Sequence, residues 1–415
     1  MSAATLKPVY RRIMGHIVPF LMLLYTIAFL NRVNVGFAAL TMNHDLGISD
    51  RMSGFAAGVF FLPYCLFQIP ANSVLTRIGA RRWLGALMVV WGIVSMGTAF
   101  VSSIPAYIGA RALLGVAESG FYPGVIYYFT FWLPRALRTR ALALFLFALP
   151  ICNVFGSPVS AYLLHMNVWG LHGWQWLFLI EGAPAVIFGI ATAFVLANDP
   201  QSAGWLTAAE KQQVERELAG DEADQKASTT HPWWKVTADS AAYFLWSTGI
   251  YGLSFWLPKI LVTRGASTIA TGWWATLTFA FGAVALWWAS RQHSMKSLPV
   301  LFLAAGAGFA VCGVSHTVGL AVAGFSLACM GLLSSLPIFW SLAAGRLSGK
   351  AAGTAIAIVN SWGAVGAFCG PYAMGWLKDA THRCTAGLWA IAVCLALGAG
   401  IVAISVPVSP KPART

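Results

Sequence analysis

Apolar runs of about 20 residues recur along the chain, separated by short polar connectors. A run of this length crosses the hydrocarbon core of a bilayer as a helix. The only long polar segment, residues 198–239, follows the sixth run. We therefore predict an all-α membrane protein with a six-helix half at 1–197, a cytoplasmic linker at 198–239 and a second six-helix half at 240–415. The twelve predicted transmembrane helices are 17–40, 52–75, 83–101, 105–128, 141–165, 176–197, 240–261, 270–289, 299–316, 320–343, 353–376 and 386–407.

The basic residues give the orientation of these helices. With both termini in the cytoplasm, 19 of the 26 lysines and arginines fall in cytoplasmic connectors and five on the opposite side; the other two, Arg32 and Arg111, lie inside predicted helices. This asymmetry is the positive-inside pattern of membrane proteins. The net charge of +13 is thereby explained by insertion polarity, and we predict no nucleic-acid partner.

The amino-acid composition further restricts the class of protein and the kinds of site. Only 9% of residues are charged and 58% are hydrophobic, whereas soluble domains carry about 25% charged residues. The seven cysteines include no C-x-x-C pair, so neither a metal site nor a disulfide is predicted. The first apolar run is too long and too polar in its second half for a cleavable signal peptide. In the linker, Thr207 and Glu210 have capping-box spacing and predict a short amphipathic helix at 208–219.

Three charged residues stand at predicted membrane depth, where each costs roughly 3 to more than 10 kcal/mol and by default indicates a functional site. Arg32 lies between Asn31 and Asn34 in the first helix, and Arg111 and Glu118 lie seven residues apart in the fourth. That spacing puts both on one helix face, about 10 Å apart. Two alternatives for Arg111 stay open: snorkelling to the membrane surface and a structural pairing with Glu118.

A weak internal repeat links the two halves. The string FGSP ends at Pro158 in the fifth helix, and FCGP ends at Pro371 in the eleventh, at an offset of 213 residues. Equivalent helices thus share a proline at matching depth, as expected for two parallel repeats with a binding site between them.

The string FFLPYCLFQIPANSVLTRIGARRW, residues 60–83, resembles the second helix and following loop of the major facilitator superfamily, and more narrowly its anion:cation symporter branch. Arg77, Gly79, Arg81 and Arg82 fit the loop motif, with Thr76 in place of its aspartate. RALLGVAESGFYPG, residues 111–124, resembles the fourth helix of the same branch. The resemblance implies two pseudo-symmetric lobes that rock about a central site. It also implies conformational roles for the loop residues, and the helix-weakening prolines of the internal repeat, Pro158 and Pro371, are predicted to have such a role as well.

Members of that branch carry tartrate, phthalate, hydroxyphenylacetate or sugar acids, so the resemblance implies a small organic carboxylate. Two arginines are suited to bind carboxylate oxygens, and Glu118 to carry the coupling proton. We predict a monomeric symporter of the bacterial inner membrane, with protons as coupling ion and no cofactor or metal. The predicted substrate-binding residues are Arg32, Arg111, Tyr25, Asn34, Tyr64, Gln68, Tyr251, Ser254, Trp340, Asn360 and Ser361.

Three other functions are alternatives to a proton-coupled symporter. An anion exchanger or a uniporter without proton coupling is the alternative. A membrane-embedded enzyme is disfavoured because no histidine has an acid or cysteine at useful spacing, and a channel because the charges form no ring. Many related symporters have Asp before the first-helix arginine where this chain has Asn31. We therefore expect coupling through Glu118 alone, with one proton per cycle, unless a histidine or Glu181 also carries protons.

Overall fold

The computed structural model describes residues 7–223, 233–291, 295–346 and 350–405. Those residues are almost entirely helical and contain no β-strand that pairs into a sheet. The helices are α1 (Pro8–Val33), α2 (Val35–Asp45), α3 (Asp50–Val59), α4 (Phe61–Ile78), α5 (Ala80–Gly97), α6 (Ile104–Glu118), α7 (Phe121–Trp132), α8 (Arg135–Leu146), α9 (Ala148–Leu163), α10 (Gly173–Val195), α11 (Ala208–Ala223), α12 (Trp233–Thr263), α13 (Thr268–Ala289), α14 (Leu298–Val314), α15 (Val318–Arg346), α16 (Lys350–Thr381) and α17 (Thr385–Ser405).

These helices account for the twelve predicted spans. Four spans consist of two helices that meet at a break, namely α1 with α2, α3 with α4, α6 with α7, and α8 with α9. The other eight are α5, α10 and α12 to α17, and α11 is the linker helix. Within the described ranges, eight stretches are long and apolar enough to cross a membrane by composition alone. The remaining four spans are α3 with α4, α6 with α7, α12 and α16. The predicted fold class is confirmed.

Three of the four breaks have a proline as their cause. A proline has no N–H group, so it cannot donate to the carbonyl four residues earlier. Pro63, Pro123 and Pro150 stand four residues after Val59, Ser119 and Leu146, and α3, α6 and α8 end at or just before those positions. Each break therefore leaves carbonyl groups at a helix end without a partner in the helix.

The described chain divides into two compact units. Unit 1 contains α1 to α11, the end of α12 from Phe255 and the start of α13 up to Thr276; unit 2 contains the rest. In unit 1, α10 packs along α5, and α1 packs on α8, α9 and α10. In unit 2, α14 packs against both α15 and α17. The predicted boundaries at residues 197 and 240 remain predictions.

Within unit 1, an ion pair joins the start of α3 to the end of α12. The Lys259 ammonium contacts the Asp50 carboxylate, and the two side chains are 22% and 18% exposed. α3 begins at Asp50 because the Ser49 hydroxyl accepts a hydrogen bond from the Met52 N–H group. The predicted orientation puts this pair on the side opposite the cytoplasm.

The linker helix α11 begins with the predicted capping box. The Thr207 N–H group donates to Glu210 Oε2 at 2.8 Å, and the Glu210 N–H group donates to Thr207 Oγ1 at 3.3 Å. The pKa of the Glu210 carboxyl is lowered most by the hydrogen bond from the Thr207 N–H group and next by that from the Thr207 hydroxyl, which donates to Oε2 at 3.0 Å. The helix runs to Ala223, four residues beyond the predicted end. Its exposed face reaches the start of α1, where Lys7 pairs with Glu217 at 2.7 Å.

Candidate functional site

The site in unit 1 forms where two helix breaks and one helix end meet. Arg32 lies in the last turn of α1, Phe60 is the residue between α3 and α4, and Glu118 is the last residue of α6. α6 approaches the α3–α4 break closely because Gly115 has no side chain. A Cβ atom at Gly115 would lie 2.1 Å from the Phe60 carbonyl oxygen.

Gly115→Ala should therefore displace α6 from Phe60 and impair both folding and transport. The obstructing atom is backbone, so no side-chain rotation relieves the clash. We expect a loss of about 1–3 kcal/mol in stability, seen as a lower melting temperature of the purified protein. Gly109→Ala, in the same helix with nothing within 4 Å of its added Cβ, is the matched control. Equal melting temperatures for the two variants would contradict the close packing.

Arg32 and Glu118 form a buried ion pair. Arg32 Nη2 lies 2.7 Å from Glu118 Oε2, and the two side chains are 6% and 1% exposed. A cation suits the negative end of the α1 dipole, whereas a carboxylate at the end of α6 is unfavourable without such a partner. The alternative in which Arg111 pairs with Glu118 is therefore wrong. Glu118 Oε1 has no hydrogen-bond partner among the described residues.

Aromatic rings surround the Arg32 guanidinium. Its central carbon lies 4.9 Å from the ring centre of Phe60, 5.0 Å from that of Tyr64 and 5.7 Å from that of Phe29. Ring faces attract a cation, more strongly where water is excluded. Tyr64 was predicted at the site, but Phe60 and Phe29 were not. In the sequence, the run of aromatic residues beside the α3–α4 break signals Phe60, whereas no comparable run marks Phe29.

Arg111 stabilises helix ends. Its Nε donates to the Ala56 carbonyl at 3.3 Å, and its Nη2 to the carbonyls of Arg32 at 3.4 Å and Ala57 at 3.5 Å. These acceptors lie in the last turns of α1 and α3, where carbonyls lack helical partners. The residue is 1% exposed, so the snorkelling alternative is wrong. Only Nη1 has no partner among the described residues, which leaves one end of the guanidinium for a ligand.

Arg111→Lys should lower stability more than substrate affinity. A lysine ammonium cannot span three carbonyls on two helix ends, and each lost bond from a charged donor is worth about 1.5–3 kcal/mol. We expect a clear fall in melting temperature, with the apparent KM of the folded fraction changed only a few-fold. A variant with unchanged melting temperature and a KM raised tenfold or more would make Arg111 primarily a substrate ligand.

Asn31 joins three helices by hydrogen bonds. Its Nδ2 donates to the carbonyls of Ile27 at 2.9 Å and Glu181 at 3.1 Å, and its Oδ1 accepts from Ser95 Oγ at 2.6 Å. Asn31 is thus a structural link between α1, α5 and α10. Asn34 is equally buried, and its amide lies beside the Glu181 carboxyl without a hydrogen bond of good geometry.

A sequence profile described as Major Facilitator Superfamily matches residues 21–371, most of the chain. The chain belongs to the Major Facilitator Superfamily. Its relatives include a protein of Agrobacterium vitis named "Putative tartrate transporter", 41% identical, with 98% of this chain and 93% of that protein covered. The Pseudomonas putida metabolite transport protein NicT is 36% identical, with 95% and 94% covered. This chain is accordingly a multi-pass membrane transporter and not an enzyme.

The fold of this chain is similar to that of solved transporter structures. The Escherichia coli xylose transporter XylE, in a partially occluded inward-open conformation, superposes with a TM-score of 0.78 at 14% identity, covering 95% of this chain and 99% of that one. A bacterial homologue of the human lysosomal transporter Spinster gives a TM-score of 0.76 at 16% identity, with 97% and 98% covered. At such identities these likenesses concern the fold.

The other predicted site residues of this superfamily member are distributed over both units. In unit 1, the Tyr25 ring stacks on Phe145 with centroids 4.5 Å apart, and Gln68 lies in α4. In unit 2, Ser254 Oγ donates to the Ile250 carbonyl at 2.9 Å, and the Trp340 ring lies edge-on to Tyr243 at 5.1 Å. Tyr251 lies in α12, and Asn360 and Ser361 in α16. Their roles in binding remain predictions.

The predicted conformational residues of the superfamily loop lie between α4 and α5. Gly79 has φ 83°, a left-handed conformation that favours glycine, and it separates Arg77 at the end of α4 from Arg81 and Arg82 at the start of α5. Arg77 and Arg82 are exposed. Pro158 and Pro371 lie inside α9 and α16 without interrupting them. Their conformational roles likewise remain predictions.

Proposed function

We propose that this transporter imports a small organic carboxylate together with protons across the bacterial inner membrane, by alternating access and as a monomer. The observation that carries the proposal is the buried contact between Arg32 and Glu118. Names of relatives support the substrate class, because the Agrobacterium vitis proteins at 41% and 40% identity are both named as tartrate transporters. A tartrate-like dicarboxylate is therefore the first candidate.

The ion pair provides a physical basis for coupling. Glu118 and a substrate carboxylate compete for the same guanidinium, since Arg32 already points one N–H group at Glu118 Oε2. Protonation of Glu118 removes its charge and frees Arg32 to bind the substrate. In the substrate-free state, Glu118 is ionised and is the one partner of the Arg32 charge. In the substrate-bound state, Glu118 is protonated and the substrate carboxylate is the one partner.

The two mixed states are the costly ones. A proton without substrate leaves Arg32 unpaired, and substrate without a proton puts two carboxylates on one guanidinium. An unpaired charge in a buried pair of this kind costs several kcal/mol. Proton and anion are therefore favoured together, which is the definition of symport by coupled binding. In an exchanger or uniporter, the protonation state of Glu118 would instead stay the same throughout the cycle.

Purified protein in liposomes tests the proposal. A thermal-shift panel of carboxylates selects the substrate, with L-tartrate compared against threitol, which has the same four-carbon chain and the same two secondary hydroxyl groups but CH2OH groups in place of the carboxylates. We expect L-tartrate alone to raise the melting temperature, and an alkaline interior to drive its accumulation. Counterflow without accumulation would identify an exchanger or uniporter. Absence of both for every carboxylate would contradict organic-anion transport.

A further inference from the structure

A second carboxyl group lies buried in unit 1 and has no role in the mechanism above. Glu181 is in α10 and is 2% exposed. Its Oε1 accepts a hydrogen bond from Ser160 Oγ of α9 at 2.6 Å, and its Oε2 has no partner among the described residues. No described cation lies within ion-pair distance of it. A buried carboxylate without a cation is strongly disfavoured, so this environment suits the protonated acid.

Glu181 is close to the Arg32 region. Its backbone carbonyl accepts a hydrogen bond from Asn31, the residue that precedes Arg32. The Cys152 thiol of α9 lies within electrostatic range of both Glu181 and Arg32. The carboxyl group is therefore near the ion pair without being part of it.

The charged groups on the neighbouring helices leave Glu181 uncompensated. α1 offers Arg32, which is paired with Glu118, and α6 offers Arg111, which is bound to carbonyls. α9 offers the Cys152 thiol and, near its end, His165, whose Nδ1 lies 3.1 Å from the Ala161 carbonyl. The remaining charged groups lie at the ends of the helices. Arg81 and Arg82 are in the first turn of α5. Asp45 of α2 contacts His172 and Trp174 at the start of α10, and Trp174 is about two helical turns from Glu181.

The sum of the buried charges in unit 1 indicates a role for Glu181. Among its described residues, the buried charged side chains are two arginines, Arg32 and Arg111, and two glutamates, Glu118 and Glu181. Without substrate, the four sum to zero only if both glutamates are ionised. With a dianionic substrate, they sum to zero only if both are protonated. A buried site that is neutral at both ends of its cycle therefore moves two protons with each dianion.

We propose that Glu181 is a second proton-binding site of the transport cycle, so that two protons accompany each dicarboxylate and transport is electroneutral. This inference rests on the proposed function, and it replaces the expectation of coupling through Glu118 alone. Glu118 has a cation beside it and Glu181 has none, so Glu181 is the acid that keeps its proton longer, and the substrate-free site becomes neutral once Glu181 has released that proton. Glu181 releases its proton when the site opens to water on the cytoplasmic side.

Proton stoichiometry decides between a coupling site and a structural acid. Liposomes with the membrane potential clamped to zero are loaded to different internal pH, and the steady-state accumulation of L-tartrate is measured. Two protons give roughly 100-fold more accumulation per pH unit and one proton roughly tenfold. We expect the two-proton slope, roughly 100-fold per pH unit, for the wild type, and the one-proton slope, roughly tenfold, for Glu181→Gln. Glu181→Gln should also become sensitive to membrane potential, because one negative charge then moves per cycle.

The controls separate this inference from the proposed function. Glu217→Gln, the same change in the linker helix, and Ser160→Ala, which removes only the hydrogen bond, should both keep the two-proton slope. A wild type with a one-proton slope, or a Glu181→Gln variant with two protons, would overturn the role of Glu181 and leave carboxylate symport intact. No uptake of any carboxylate would overturn both.

An infrared titration gives a readout that needs no substrate. A protonated carboxylic acid has its own C=O stretching band, which Glu181→Gln removes, so the difference between the two proteins isolates Glu181. We expect that band to disappear with rising pH in the wild type and in Ser160→Ala. A band that persists unchanged at alkaline pH would show a permanently protonated, structural acid. If Glu181→Gln does not fold, Glu181→Asp should fold and keep the two-proton slope.

Discussion

Replacing Arg32 with lysine should reduce transport by about 100-fold, equivalent to about 2.7 kcal/mol of transition-state stabilisation. A guanidinium presents parallel N–H groups to a carboxylate and lies flat against aromatic rings, and a lysine ammonium can do neither. Arg32 donates one N–H group to Glu118 Oε2 at 2.7 Å, and its guanidinium carbon lies 4.9 Å from the Phe60 ring centre. The measurement is initial uptake of L-tartrate by liposomes containing equal amounts of folded protein.

The matched control for that variant is Arg383→Lys, the same substitution in an exposed connector. It should transport at the wild-type rate. If Arg32→Lys also kept its rate within a factor of two, the guanidinium would not be the carboxylate ligand. Its pairing with Glu118 would then serve the fold alone.

Glu118→Gln should retain exchange of substrate across the membrane and lose net uptake. The amide accepts a hydrogen bond but carries no charge, so Arg32 is always available to a substrate carboxylate. Without substrate, however, Arg32 has no anionic partner, and the empty transporter cannot change orientation without carrying an unpaired buried charge. Counterflow should therefore remain within a few-fold of wild type, while accumulation driven by an alkaline interior falls to background.

This result differs from that expected for Glu181→Gln, which keeps the Arg32–Glu118 pair and therefore keeps net uptake with one proton fewer. Loss of both counterflow and binding in Glu118→Gln would identify Glu118 as a structural partner of Arg32. Full accumulation would place proton coupling elsewhere in the chain. The comparison uses the same liposomes and the same substrate for both variants.

The helices of this protein could be predicted from its sequence because length and apolar content alone determine which segments cross a membrane. The breaks within spans were not predicted, although Pro63, Pro123 and Pro150 mark three of them. A proline is not a sufficient signal: Pro70 and Pro158 lie inside uninterrupted helices. Packing around each proline determines whether the helix tolerates it.

The charged residues of the site were predicted, but their partners were not. Spacing along one helix suggested that Arg111 and Glu118 belong together, whereas the ion pair forms between α1 and α6. The partners of Arg111 are carbonyl groups freed by helix ends, and no sequence pattern marks a free carbonyl. Which buried charge binds substrate and which stabilises the backbone is therefore decided by tertiary structure.

The hydrogen bonds of Asn31 also restrict how this protein can evolve. An aspartate there would have no N–H group for the carbonyls of Ile27 and Glu181, and its oxygens would face theirs at about the distances now bridged by hydrogen bonds, 2.9 and 3.1 Å. A single substitution to aspartate therefore breaks the link between α1 and α10 before any new proton site can be useful. The carbonyl groups of Ile27 and Glu181 therefore favour asparagine over aspartate at this position, and a carboxylate would be accommodated only together with a compensating change in α10.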